Sequence, residues 1–146
     1  MRKQCKRIKR DPYLCISKRM GLVKSQAVDL GCAYFTALDA LMGDRGTEQQ
    51  WATLACAINV ALLLAERGIN AEALQIIKLA QEGLMAIRRH AQAHGVWSAN
   101  IAHHLKQAIL AAVNAHDLQC GIATKAQLSE ALREVHRRVE QGEVLV

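Results

Sequence analysis

The chain has 146 residues, enough for one domain, with 51% hydrophobic residues, 22% charged residues and a single proline. This composition excludes a disordered or fibrous chain, and no apolar run reaches the ~18–20 residues of a membrane-spanning helix. The net charge is +6, and residues 1–20 alone hold eight basic residues against Asp11, a net +7 that leaves −1 for the remainder.

Residues 1–20 therefore read as a basic N-terminal arm, and residues 21–146 as one helical domain. The Asp11-Pro12 step disfavours helix inside the arm. No apolar stretch follows the basic residues, so the arm does not look like a secretory signal. A first helix is expected over about Ser25–Met42, with Val28, Cys32, Phe35 and Leu38 on one stripe and Leu41 beside them. Gly43-Asp44-Arg45-Gly46 forms the turn that follows.

Thr47 and Gln50 make a capping box for a second helix. Trp51, Leu54, Ala55, Ile58, Leu62 and Ala65 recur at helical spacing, and Val60, Leu63 and Leu64 widen that face. This helix is expected at the centre, with Gly68 as its stop. Asn70 is placed as the cap of a third helix running to about His94, and Gly83 inside it suits a close helix crossing. Ser98 is placed as the cap of a fourth helix ending at Cys120-Gly121. Thr124 and Gln127 form a second capping box, opening a fifth helix lined by Leu128, Ala131, Leu132, Val135 and Val139. The short connections make neighbouring helices antiparallel. The expected fold is an all-α, compact antiparallel bundle of four to five helices.

The arm residues Arg2, Lys3, Lys6, Arg7, Lys9, Arg10, Lys18 and Arg19 are candidate contacts to nucleic acid or to an acidic protein surface. They neutralise charge but read no bases, and Tyr13 is the one aromatic nearby. Arg133, Arg137 and Arg138 form a second candidate patch on the fifth helix. Glu130, Glu134 and Glu140 interleave with them and favour ordinary helix-surface pairs instead. Arg88, Arg89 and His90 make a smaller patch.

The five cysteines are widely spaced, with no C-x-x-C, so neither a disulfide framework nor a zinc knuckle is expected. Cys32 and Cys56 read as small core residues, and the compartment as a reducing cytoplasm. His90, His94, His103 and His104 could approach one another across a turn, but they lack a fourth ligand and the H-E-x-x-H spacing. His116-Asp117 is a further weak candidate. Nucleophile elbows and phosphate loops do not occur. No metal, no cofactor and no catalytic residue are expected.

Leu38-Asp39-Ala40-Leu41, Gly46-Thr47, Trp51, Leu54-Ala55 and Asn59 carry a resemblance that continues through Ala65-Glu66, Gly68-Ile69 and Ala80-Gln81. His116-Asp117-x-Gln119, Ala123-Thr124 and Gly142-x-Val144-Leu145 complete it. Over about three quarters of its length the chain resembles a group of short helical proteins of proteobacterial genomes, phages and mobile elements. The group has no assigned activity, so no functional residue is carried over. Its arms are richer in proline than this one. The resemblance implies a bacterial or phage accessory protein that binds a host protein or complex, such as a nucleic-acid-handling or defence (CRISPR-like) machine. The alternative is a small DNA- or RNA-binding regulator acting through the arm. A homodimer through the apolar helix faces is a further expectation.

Overall fold

Local sequence signals decide most of the helix boundaries. The structure is a computed structural model that describes residues 24–143. Among the described residues it contains α1 (Lys24–Met42), α2 (Glu48–Glu66), α3 (Leu74–His94), α4 (His103–Ile122) and α5 (Lys125–Glu140). Their buried side chains form one continuous core. The fold is the expected all-α bundle.

Both capping boxes form. The Thr47 hydroxyl accepts from Gln50 N–H while the Gln50 side chain accepts from Thr47 N–H, and Thr124 and Gln127 repeat the arrangement. Two orphan donors are thereby satisfied at each helix start. At the end of α2, Gly68 takes the left-handed conformation with φ +89°, and Ile69 N–H closes back on the Leu64 carbonyl at 2.9 Å.

α2 is central because it is apolar nearly all round; from Leu54 to Ala65 only Cys56 escapes full burial. It contacts each of the other four helices. Trp51, at its start, donates its indole N–H to the Leu84 carbonyl of α3 at 2.9 Å. Gln81 of α3 donates to the buried Asn59 amide oxygen of α2, also at 2.9 Å. These two contacts fix α2 and α3 as antiparallel. A Cβ on Gly83 would lie 3.0 Å from Ile109 Cδ1, so this glycine does permit the close α3–α4 crossing.

Three expectations need correction. α1 buries Leu30, Tyr34, Ala37, Leu38 and Leu41, whereas Cys32 is exposed and Phe35 is only partly covered. The apolar stripe runs through the larger side chains and leaves the thiol outside; Cys56 is likewise only partly buried. Asn70 gives no side-chain cap. Its backbone is left-handed (φ 56°), and a 3-10 turn over Ala71–Ala73 precedes α3.

Ser98 does not cap α4, which starts five residues later at His103. Residues 96–102 instead run beside the α1–α2 turn. Trp97 forms a bridge with Gly46, and Ala99 N–H donates to the Leu41 carbonyl at 2.9 Å. Ser98 and Ala99 are buried there. The close fit needs glycine at position 46, because a Cβ would meet Leu41 Cδ2 and come within 2.6 Å of the Trp97 carbonyl.

Candidate functional site

α4 carries the titratable cluster that lies deepest in the protein. His116, Gln119 and Cys120 fall at i, i+3 and i+4, on its inward face. Gln119 Nε2 donates to the Ala61 carbonyl at 3.1 Å and to the Ile69 carbonyl at 2.9 Å. Two carbonyl acceptors fix the amide orientation, so Gln119 Oε1 faces His116 Nδ1 at 3.3 Å. Nδ1 must then carry the hydrogen and donate. Nε2 is left as an acceptor, and the Cys120 thiol lies 3.6 Å from it, placed to donate. The Tyr34 ring covers the imidazole at 5.2 Å between centroids.

The environment keeps this cluster neutral. Burial lowers the His116 pKa to about 4, against a smaller upward pull from the Gln119 hydrogen bond. Burial, reinforced by the Asp117 charge, pushes the Cys120 thiol up to about 12. A thiol so far from ionising is a poor nucleophile. An imidazole with no exposure is cut off from any substrate in solution. The arrangement instead ties α4 to α2 and to the turn that follows α2. The adjacent pair is split: His116 points inward, and Asp117 is exposed beside Gly31 of α1.

The other histidines are not brought into a metal-binding set. The His90 and His94 rings stack at 4.6 Å on one face of α3. Among the described residues, no three His, Cys, Asp or Glu side chains are grouped to hold an ion.

The arm candidates Arg2, Lys3, Lys6, Arg7, Lys9, Arg10, Lys18 and Arg19 lie outside the described residues. The α5 arginines do not act as one patch. Arg137 grips Glu134 with two hydrogen bonds, 2.8 and 2.6 Å long, and Arg138 donates to the same carboxylate at 3.0 Å. Arg138 also reaches Glu66 at the end of α2, at 2.9 Å. These donors, Arg137 first and then Arg138, hold the Glu134 carboxyl down to about 2. Glu130 turns to Arg67, the residue that follows α2, at 3.6 Å rather than to its own helix. Arg133 is exposed and forms no ion pair with a described carboxylate.

Arg88 leaves the small α3 patch as well, because its guanidinium sits 5.4 Å from the Trp51 ring centroid. Trp51 in turn contacts Trp97 at 5.6 Å between centroids. Arg89 lines a wide, open depression with Lys78, Glu82 and Glu143, where opposite charges alternate. A groove of about 330 Å³ lies along the α2–α5 contact and is walled in part by Cys56, Asn59, Val135 and His136.

Two features were not anticipated from the sequence. Gln119 and Cys120 complete the buried network, and their i+3 and i+4 spacing from His116 was the available signal. Leu110, Leu118 and Ile122 form an exposed apolar stripe on α4, at 46%, 64% and 70% exposure. Their signal was that α4 is apolar on two faces. No helix among the described residues is long and apolar enough to cross a membrane. No family model, curated protein or solved structure matches the chain.

Proposed function

We propose that the chain is a non-enzymatic interaction protein of a bacterium or its phage, which captures a host protein or complex by electrostatic attraction through its arm. The observation that carries this reading is the segregation of charge. Residues 1–20 hold a net +7 and the rest −1. Two of the three α5 arginines that could have supplied a basic patch on the body are engaged by Glu66 and Glu134. Charge concentrated at one end steers encounter with an acidic surface. The concrete version is inhibition of a nucleic-acid-handling or defence machine, a direction suggested by the resemblance to phage and mobile-element proteins.

The test is capture from bacterial lysate with tagged full-length protein, with and without nuclease. A stoichiometric protein that survives nuclease supports the reading. The same charge segregation favours a second reading, a DNA- or RNA-binding regulator. That reading predicts that the captured proteins vanish with nuclease and that affinity falls steeply with salt.

A further inference from the structure

The four histidines around the α3–α4 connection do not form one set, but two of them make a pair. His90 and His94 stand one turn apart on α3, with ring centroids 4.6 Å apart and ring planes inclined by 44°. His94 is exposed and His90 partly so, which leaves both rings open to an ion from solvent. Two histidines at i and i+4 on one helix face are a recurrent metal-binding spacing, because one turn brings both imidazoles within reach of the same ion.

Three features favour a cation at this place. The first is the ring separation. An imidazole nitrogen binds a divalent transition metal at about 2.0–2.1 Å, so its ring centroid stands about 3.2 Å from the ion. Two such rings 4.6 Å apart subtend about 90° at the ion. That is the angle between neighbouring ligands in tetragonal and octahedral coordination, whereas a tetrahedral site would need centroids about 5.2 Å apart.

The second feature is the helix end. α3 stops at His94, and Gly95 closes it in the left-handed conformation, with φ 71°. The last carbonyls of the helix lie beside the pair and turn the negative pole of the helix dipole towards a cation. The third is the placing of the neighbouring positive charges. Arg89 stands about 100° round the helix from His90 and about 140° from His94. Arg88 lies over Trp51, its guanidinium 5.4 Å from the ring centroid.

We infer that His90 and His94 form a two-histidine site for a divalent transition-metal ion that takes tetragonal or octahedral coordination, such as nickel(II) or copper(II). Imidazole nitrogen suits these ions, and the angle between the two rings matches their geometry. Among the described residues no third His, Cys, Asp or Glu joins the pair, so water completes the coordination shell. An ion held by two protein ligands binds with about micromolar affinity and exchanges with solvent.

Nickel(II) is the probe, because the free thiols of the chain reduce copper(II) but not nickel(II). Calorimetric titration of the untagged full-length protein, in a buffer without ligating groups, should show one nickel ion bound per chain. His90→Gln and His94→Gln should each weaken binding at least about tenfold, with the circular dichroism spectrum unchanged. His103→Gln and His104→Gln should leave the affinity as it is. Without any substitution, paramagnetic nickel should broaden the His90 and His94 ring signals in NMR spectra ahead of those of the other histidines. No binding would overturn the proposal, as would binding that survives both His90→Gln and His94→Gln. Broadening that begins at other histidines would place the ion elsewhere and would also overturn it.

Discussion

Burying a histidine without a charged partner makes stability sensitive to acid. The unfolded chain takes up a proton at His116 near pH 6.5, the folded chain only near 4. Between those values the unfolded state binds more protons, so acid favours unfolding. The contribution of neutral His116 is complete above pH 6.5 and is lost as the pH falls to 4. At about 1.4 kcal/mol per pH unit the loss is about 3 kcal/mol. Urea unfolding across this window should show it, and His116→Gln should flatten the dependence. Glu134 acts in a separate window, because its carboxyl is lowered to about 2 from 4.5. Its contribution is present above 4.5 and is lost only below that value. Gly46 constrains the fold sterically rather than by charge. Gly46→Ala should cost about 2 kcal/mol, since both Leu41 and the Trp97 backbone would have to move. An unchanged urea midpoint would show that the turn has room the structure lacks.

Helix termini and helix contacts carry a different set of expectations. Thr124→Ala removes the acceptor for Gln127 N–H and should cost about 1 kcal/mol, measured as a fall in thermal midpoint. Arg138→Gln should cost at most about 1 kcal/mol and lose that effect in high salt, because its partners Glu66 and Glu134 are partly hydrated. The termini that follow local chemistry were the ones readable in the sequence: the two capping boxes, Gly68, and the apolar periodicity of α2. The misplaced ones depended on distant residues. Ser98 has the right side chain for a cap, but its backbone is held against the turn before α2, where Leu41 accepts from Ala99. Asn70 adopts the left-handed conformation that asparagine tolerates, so it precedes the 3-10 turn over Ala71–Ala73 without capping it through its side chain. In α1 the choice of buried stripe was set by packing against α2 and α4, so Tyr34 went inside and Cys32 outside. The sequence showed Arg133, Arg137 and Arg138 sharing a helix, but not that Arg138 would reach across to Glu66, 72 positions away.

Over the whole chain the charge is segregated, with a net +7 in residues 1–20 and −1 in the remainder. The helical bundle holds buried His116 and Cys120 neutral and pairs Arg45, Arg67 and Arg137 with carboxylates. Under the proposed function, electrostatic attraction for a partner comes from residues 1–20, and it is predicted to weaken with salt as surface charges do. The decisive comparison is between the full-length chain and a full-length variant with the eight basic arm residues replaced by glutamine. Both are used to capture proteins from the same nuclease-treated bacterial lysate. Loss of a stoichiometric protein partner from the variant, with its thermal midpoint unchanged, is the predicted result. Equal capture of that partner by both chains would contradict the account, because it would place recognition on the helical body.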